Sequence, residues 1–298
     1  LENESAINYM LFHSEFGKLM GNEVKKFIEK NKIINVDLIA SHGHTVFHQP
    51  ENNLTTQIGC GAQIAATAGI ETICDFRTKD VALGGQGAPL VPIGDELLFS
   101  EYDCCLNLGG IANISFKVKG RRTSYDLAIA NMANNYICSL EGIEYDDKGK
   151  LAASGNFNQN LYNELNAIAF FSKSHPKSLG KENFIKNFKP ILDKYDISNA
   201  DKLKTFGKHL AHQICKILPR TTAKKVLITG GGAFNLFWIS QIKNTTNAQI
   251  IIPESKIIEY KEALIFGFLG VLRKKQIVNC LASVTGAKED SIGGTIYL

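Results

Sequence analysis

The amino-acid sequence predicts an α/β protein built in two lobes. Between residues 36 and 99, short apolar segments alternate with segments of helical periodicity, which favours parallel strands joined by helices. From residue 104 onward, three consecutive strand-like segments precede a second alternation of helices and strands. Apolar residues make up 44% of the 298-residue chain, which is enough to form the cores of two such lobes.

Each element of the first lobe follows from local patterning. Residues 5–30 place apolar side chains at helical spacing and predict an amphipathic helix or a pair of helices. Strands are predicted at residues 36–39, 56–58 and 71–74, an alanine-rich helix at 61–68, and a further helix between 89 and 99.

The second lobe begins with strands predicted at 104–108, 111–118 and 122–125, which short glycine turns join into an antiparallel trio. Helices at 131–140, 203–218, 235–242 and 261–271 and strands at 225–229 and 249–252 follow. This order is that of a ribonuclease-H-like unit. The first lobe has no such trio ahead of its first helix.

Composition and charge narrow the class of protein. Lys plus Arg exceed Asp plus Glu by only 33 to 29, and the excess is dispersed, so the charge pattern indicates no nucleic-acid partner. The seven cysteines include no Cys-x-x-Cys pair and indicate reduced core residues. No apolar run approaches the roughly 20 residues that a membrane span needs. We therefore predict a cytoplasmic protein with neither membrane nor nucleic acid as partner.

The segment after the strand at 71–74 has the composition of a binding loop. Asp75, Arg77, Lys79 and Asp80 follow the strand, at the carboxyl end where open α/β sheets bind ligands. The glycines of Gly84-Gly85-Gln86-Gly87 allow the backbone to approach a ligand closely or to turn through positive φ. The alternative is a charged surface turn with ordinary loop glycines.

Two glycine turns in the second lobe are candidates for phosphate binding. In the first, Gly109 and Gly110 stand between Asn107 and Asn113 and expose backbone N–H groups to an anion, although a plain tight hairpin has the same pattern. The second, Gly230-Gly231-Gly232, ends an apolar strand directly before a helix and offers a helix N-terminus to phosphate. Close packing of strand and helix is the alternative reason for these glycines. Neither turn is a Walker loop or a dinucleotide fingerprint.

The two turns resemble the phosphate loops of the actin, hexokinase and large heat-shock chaperone superfamily. Within it, the sequence is similar to the anhydro-N-acetylmuramic acid kinases over essentially its whole length. The matching blocks are Ser-His-Gly-His-Thr at 41–45, Gln-Ile-Gly at 57–59, Asp-Phe-Arg at 75–77, Gly-Gly-Gln-Gly-Ala-Pro-Leu-Val-Pro at 84–92, and the segments 106–113, 177–180, 230–235, 262–263 and 283–287. The block at 84–92 is specific to that family.

This resemblance implies a two-lobed, actin-like kinase that uses ATP and Mg²⁺. Such an enzyme hydrolytically opens 1,6-anhydro-N-acetylmuramic acid and phosphorylates O6, in peptidoglycan recycling. Lobe one, residues 1–100 completed by 278–298, is expected to bind the sugar. Lobe two, residues 101–277, is expected to bind the nucleotide, with both ligands in the cleft between the lobes. We also predict a homodimer.

The resemblance assigns roles to individual residues. Asp126 is the expected general base, and its alternative role is to cap the following helix. Glu262 is expected to contact the sugar, and its alternative role is that of a first-turn acid favoured by the helix dipole. The residues expected to bind the sugar are His42, Asp75, Arg77, Gln86 and Glu262. Those expected to bind the nucleotide are Asn107, Gly109, Gly110, Asn113, Gly230, Gly231, Gly232 and Asn235. No protein metal ligands are expected, and hydrogen bonding is favoured for His42, His44 and His48.

The sequence departs from the family pattern in two places. The family has Thr or Cys followed by Gly-Pro-Gly after the base, and this sequence has Leu-Ala-Ile-Ala at 127–130. The glycine- and serine-rich hairpin that grips the ATP phosphates in the family is missing. We therefore expect the natural protein to carry roughly 50 or more residues before Leu1. The competing functions are a non-catalytic sugar- or muropeptide-binding homologue, acting as a sensor or partner protein, and a related ATPase or chaperone. Arg77, Gln86 and Glu262 argue against the last of these.

Overall fold

The computed structural model describes residues 4–174, 177–218 and 223–298. The chain divides into two compact units, Leu1–Leu98 with Glu262–Leu298, and Phe99–Lys261. The first boundary lies close to the expected residue 100, but the second lies before the expected residue 277. The reason is the helix Ser255–Lys274, whose C-terminal half packs in unit 1. A Cβ on Gly94 would lie 2.4 Å from Ile265, and one on Gly270 would lie 2.8 Å from Cβ of Ala40.

Unit 1 begins with one continuous helix, α1 (Ala6–Lys30), which is capped by the side chain of Ser5. It packs on α2 (Gly61–Ala68), the predicted alanine-rich helix. The two helices approach closely because glycines face the contact: a Cβ on Gly17 would lie 2.7 Å from the carbonyl oxygen of Cys60. The amphipathic pattern of residues 5–30 therefore predicted the helix correctly, and the chain forms one helix rather than two.

A small mixed sheet forms the centre of unit 1. Its strands are β1 (Ile39–Ala40), β4 (Thr72–Cys74) and β10 (Thr295–Tyr297), in the order β1-β4-β10. β1 is parallel to β4, as the alternation of elements predicts, and β10 is antiparallel to it. The strand expected at 36–39 is shorter than predicted and begins only at residue 39. The C-terminal residues thus complete a sheet that begins far upstream in sequence.

A hairpin, of which the sequence analysis predicted only the strand at 56–58, lies beside this sheet. It consists of β2 (His44–Gln49) and β3 (Leu54–Ile58), joined by the 3₁₀ turn Pro50–Asn52. Residues 44–49 carry polar side chains at both faces, so their period gave no strand signal. The remaining helices of unit 1 are α3 (Thr78–Ala82), α4 (Pro92–Leu97), the second half of α12 (Ser255–Lys274) and α13 (Ala282–Thr285).

Unit 2 contains a five-stranded sheet in the order β7-β6-β5-β8-β9. The antiparallel trio is β5 (Cys104–Leu108), β6 (Ile111–Val118) and β7 (Arg121–Ile129), and β8 (Lys225–Thr229) and β9 (Gln249–Ile251) extend the sheet in parallel from β5. This is the predicted ribonuclease-H-like order. The third strand is longer than predicted and includes residues 126–129.

Helices cover the sheet of unit 2, and their apolar faces form its core. They are α5 (Asn131–Ser139), α6 (Lys150–Ser154), α7 (Gln159–Asn166), α8 (Lys181–Asn183), α9 (Lys189–Lys194), α10 (Asn199–Ile217) and α11 (Leu236–Thr245), with 3₁₀ turns at Asp147–Gly149, Ala169–Ser172 and Gly231–Phe234 and a π-helical turn at Phe184–Phe188. Among the described residues, no helix is long and apolar enough to cross a membrane.

Candidate functional site

The predicted sugar-binding residues of unit 1 gather at the end of β4. Asp75 follows the strand with φ of +57°, an uncommon conformation for a residue with a side chain, and its Oδ1 accepts a hydrogen bond of 2.5 Å from the hydroxyl of Thr78. Strained backbone of this kind is concentrated at functional positions. The strand end therefore presents one carboxylate in a fixed orientation.

Arg77 and His42 form the centre of this group. Arg77 donates from Nε to Nε2 of His42 at 3.0 Å, its Nη2 lies 2.8 Å from the same nitrogen, and its Nη1 donates to the carbonyl of Gly87 at 2.5 Å. Nδ1 of His42 lies 2.9 Å from the carbonyl of Gly43, which can only accept. His42 is therefore the neutral tautomer with its proton on Nδ1, so that Nε2 accepts from the guanidinium.

The charge state of this pair follows from burial. Burial lowers the pKa of His42, and the neighbouring charge of Arg77 lowers it further. A guanidinium carries five N–H donors, of which these contacts use three and leave one on each terminal nitrogen. Two donors on adjacent nitrogens match the two oxygens of a carboxylate. Arg77 is thus held rigidly by the protein and can still bind an anion.

Glu262 lies near this guanidinium but not where the sequence placed it. It stands well inside α12 (Ser255–Lys274), so the expectation of a first-turn acid is wrong. One helical turn later, the ring of Phe266 packs edge-on against His42 at 4.7 Å between centroids, and the Arg77 guanidinium lies 6.0 Å from the same ring. Glu262 itself is exposed. Burial lowers the pKa of Arg77, and the charge of Glu262 raises it.

A cavity of about 270 Å³ adjoins His42 and Asp75. Sequence analysis missed its other polar residues, which include Tyr9 and His13 of α1 and Tyr297 of β10. These residues stand in an amphipathic helix and a C-terminal strand that carry no motif, so only the folded chain brings them to the site. Gln86 is exposed on the neighbouring glycine loop, and its backbone N–H donates to the carbonyl of Thr285 at 2.9 Å.

In unit 2, one row of polar residues crosses four strands of the sheet. Asp126 pairs with Asn113, Asn113 pairs with Asn107, and Asn107 pairs with Thr229. Residues directly opposite one another on neighbouring strands project from the same face of the sheet. The expected base and two of the expected nucleotide-binding amides therefore share one face. Thr229 was not predicted, although it directly precedes the glycine turn.

The two glycine turns lie side by side at the end of this row. They are far apart in sequence, but β5 and β8 are adjacent parallel strands, so their carboxyl ends meet. A Cβ on Gly230 would lie 2.5 Å from Oδ1 of Asn107 and 2.8 Å from the carbonyl carbon of Leu108. Gly110 and Gly231 are exposed, and Gly230 has φ of +79°. The backbone of both turns is thus accessible to a phosphate group.

Asp126 is a strand residue and not a helix cap. The N-cap position of α5 (Asn131–Ser139) is occupied by Ala130, so the capping alternative is wrong. Oδ2 of Asp126 accepts from the N–H of Leu179 at 2.8 Å, and the N–H of Asp126 donates to the carbonyl of Lys177. Burial raises the pKa of Asp126, and the hydrogen bond from Leu179 opposes that rise. A carboxyl group with a raised pKa is better matched to proton transfer near neutral pH.

Asn235, which is expected to bind the nucleotide, is a buried helix cap. Its Oδ1 accepts from the N–H of Trp238 at 3.0 Å and caps α11 (Leu236–Thr245), and only 6% of the residue is exposed. The amide oxygen of Asn235 is thus used to cap this helix, and its expected role in nucleotide binding stays a prediction. Among the described residues, there is no group of three or more His, Cys, Asp or Glu side chains that could hold a metal ion.

The model of the anhydro-N-acetylmuramic acid kinase family matches residues 3–298. The chain belongs to this family. The anhydro-N-acetylmuramic acid kinase of Clostridioides difficile (strain 630) is 33% identical over 99% of this chain and 84% of its own length. That of Shewanella sp. (strain MR-7) is 34% identical over 93% of this chain and 80% of its own length. Membership in the family makes the protein a kinase, a phosphotransferase with an alcohol group as acceptor, with a role towards sugars.

Solved structures resemble this chain only distantly. A putative N-acetylmannosamine kinase from Listeria monocytogenes has a TM-score of 0.38 and 12% identity over 87% of each chain. A likeness this weak supports no argument about the site.

Proposed function

We propose that the protein uses ATP to open 1,6-anhydro-N-acetylmuramic acid by hydrolysis and to phosphorylate O6, giving N-acetylmuramic acid 6-phosphate for peptidoglycan recycling. The observation that carries this proposal is the polar row of unit 2. It sets Asp126 on the same sheet face as Asn107 and Asn113, beside the two glycine turns. A base and a phosphate-binding backbone on one face suit a reaction that couples hydrolysis to phosphoryl transfer.

The proposed reaction has two steps, each of which forms one bond and breaks another. Asp126 accepts a proton from water as the water oxygen attacks the anomeric carbon C1, and the bond between C1 and O6 breaks. O6 then attacks the γ-phosphorus of ATP, and ADP leaves. The backbone N–H groups of Gly110 and Gly231 would hold the phosphates, because exposed glycine turns accept anions. The raised pKa of Asp126 supports its role in the first step.

Unit 1 is proposed to hold the sugar. The two remaining donors of Arg77 suit the lactyl carboxylate of the substrate, and the exposed carboxylate of Glu262 suits ring hydroxyl groups. His42 holds the guanidinium in place. Asp75 and the adjoining cavity of about 270 Å³ offer room and polar groups for the acetamido side of the ring.

Mg²⁺ is proposed to enter with the nucleotide. In phosphoryl transfer this ion usually rests on the phosphates with one or two protein oxygens, and it neutralises the charge that develops there. The amide oxygens of Asn107 and Asn113 are oxygen donors of the type that Mg²⁺ prefers. They are the residues of this chain that would complete its coordination.

The test is a turnover assay with anhydro-N-acetylmuramic acid and ATP in ¹⁸O-labelled water. We expect a product that carries phosphate on O6 and one ¹⁸O atom on C1, as read by mass spectrometry. Asp126→Asn is the matched control, because the amide oxygen can still accept from Leu179. Sugar binding by calorimetry without any turnover would instead favour the non-catalytic homologue. Phosphorylation without ¹⁸O incorporation would reject the hydrolytic step.

A further inference from the structure

Asp80 is a buried carboxylate that neither the motifs nor the proposed reaction uses. It stands in α3 (Thr78–Ala82) and is only 1% exposed. Its Oδ2 accepts from the N–H of Gly87 at 2.7 Å. Its Oδ1 accepts from the hydroxyl of Thr285 at 2.7 Å and from the thiol of Cys280 at 3.1 Å. Burying a carboxylate is costly unless donors satisfy it, and three donors do so here, one from the neighbouring glycine loop and two from the distant C-terminal segment.

The chemistry of these partners explains why a carboxylate is needed. The N–H of Gly87 cannot accept a hydrogen bond, whereas an ionised carboxylate offers two accepting oxygens and no donor. An asparagine amide would offer one accepting oxygen and present an NH₂ group to the other side. Thr285 and Cys280 could face that NH₂ group only by giving up their donation to Oδ1, so an amide of the same shape keeps the bond from Gly87 and loses the two bonds that Asp accepts on Oδ1.

Gly87 connects Asp80 to the proposed sugar site. Its N–H donates to Asp80, and its carbonyl accepts from Nη1 of Arg77 at 2.5 Å. The residue has φ of +66°, and a Cβ there would lie 2.7 Å from Cγ2 of Val81, so its orientation is closely determined. One residue thus transmits the position of the buried carboxylate to the guanidinium.

Asp80 also fixes the rest of the glycine loop. Its backbone carbonyl accepts from the N–H of Gly85 at 2.9 Å, and a Cβ on Gly85 would lie 2.2 Å from Oδ2 of Asp80. Thr285, which donates its hydroxyl to Asp80, also accepts the N–H of Gln86 through its backbone carbonyl at 2.9 Å. The loop is therefore held between Asp80 on one side and the C-terminal segment on the other.

We propose that Asp80 is a positioning residue of the sugar site, which holds Gln86 and, through Gly87, Arg77 in the orientation that binds the substrate. This inference rests on the proposed function, because it takes the sugar as the ligand of Arg77. It assigns a task to α13 (Ala282–Thr285), which supplies the second anchor of the loop through Thr285.

The experiment compares Asp80→Asn with Glu289→Gln, which makes the same carboxylate-to-amide change at an exposed position of the C-terminal segment. Calorimetry measures the affinity for anhydro-N-acetylmuramic acid, and steady-state assays give KM for sugar and for ATP. We expect Asp80→Asn to weaken sugar affinity by about tenfold or more, as for loss of one hydrogen bond to a charged group, and to change KM for ATP by less than about twofold. Glu289→Gln should match the parent protein.

A double-mutant cycle with Arg77→Ala tests the path of the effect. If Asp80 acts through Arg77, adding Asp80→Asn to Arg77→Ala should cost little further sugar affinity. Fully additive losses, or equal rises of KM for sugar and ATP, would overturn the positioning role. If Arg77→Ala loses sugar affinity and Asp80→Asn does not, the role of Asp80 alone is overturned. If neither variant loses sugar affinity, the sugar does not bind at this site.

Thr285→Val keeps the inference testable if Asp80→Asn does not fold. It removes one hydrogen bond to Asp80 and leaves the bond from Gly87 in place. Sugar affinity should fall by about threefold or more, a loss at the low end for one hydrogen bond, with KM for ATP unchanged. Parent-like sugar affinity in a folded Thr285→Val variant would count against the proposal.

Discussion

Acid sensitivity of unit 2 is predicted to depend on one histidine. His209 of α10 (Asn199–Ile217) is fully buried among the rings of Phe171, Phe188 and Phe206. Its Nδ1 lies 2.9 Å from Oδ1 of Asn166, and its Nε2 has no hydrogen-bond partner in the described part of the chain. Burial lowers the pKa of His209 to about 3. The folded unit therefore holds this imidazole neutral.

The sign and size of the effect follow from linkage. In the unfolded chain the same histidine titrates near its ordinary pKa of 6.5, well above the folded value. Its contribution to stability is present above pH 6.5 and is lost as pH falls from 6.5 towards 3, because the unfolded state then binds the proton. Each pH unit in that window costs about 1.4 kcal/mol, so a fall from pH 6.5 to pH 5 removes about 2 kcal/mol of the free energy of unfolding.

The test is urea unfolding of the parent protein and His209→Phe at pH 7 and pH 5. The fluorescence of Trp238 reports on unit 2, because it is the single tryptophan and is fully buried 6.4 Å from the ring of Phe206. In His209→Phe, Oδ1 of Asn166 keeps the hydrogen bond from Gln213.

We expect the parent protein to lose about 2 kcal/mol more stability than His209→Phe between the two pH values. His212→Gln changes a histidine at an exposed position of the same helix. Between the two pH values it should still lose most of the stability that the parent protein loses. Equal losses in the parent protein and His209→Phe would refute the reasoning.

Three further predictions concern the site. Asp126→Asn should leave the fold and sugar affinity intact and lower turnover by roughly two to four orders of magnitude. Turnover and thermal melting are measured together, and a near-normal rate would exclude Asp126 as the base. Arg77→Ala and Glu262→Ala should each cost about 2 kcal/mol or more of sugar affinity by calorimetry, and unchanged affinity would relocate the sugar. Gly230→Ala, whose Cβ would lie 2.5 Å from Oδ1 of Asn107, should weaken ATP affinity while sugar affinity stays at the parent value, and the reverse pattern would contradict the assignment of the glycine turns.

The sequence by itself determined the elements whose signal is local. Helical periodicity placed α1, the alternation of apolar segments indicated the order of strands in unit 2, and the position of Asp75 and Arg77 after a strand marked a binding loop. The resemblance carried by the ordered blocks identified the family, which the match over residues 3–298 confirms. These features depend on residues that are neighbours in the chain, so they can be read without the fold.

The tertiary structure alone decided which distant residues meet. Parallel pairing of β5 and β8 brings Gly230 against Leu108, and register across the sheet aligns Asp126 with Asn107. The sequence analysis ended the third strand at residue 125, whereas the apolar residues at 127–129 allow β7 to continue through residue 129. Sequence placed Asp80 in the binding loop but could not give its partners, since these donors come from Gly87, a few residues along the chain, and from a segment about two hundred residues downstream. A buried carboxylate acquires its role from the donors around it, and only folding brings those donors together.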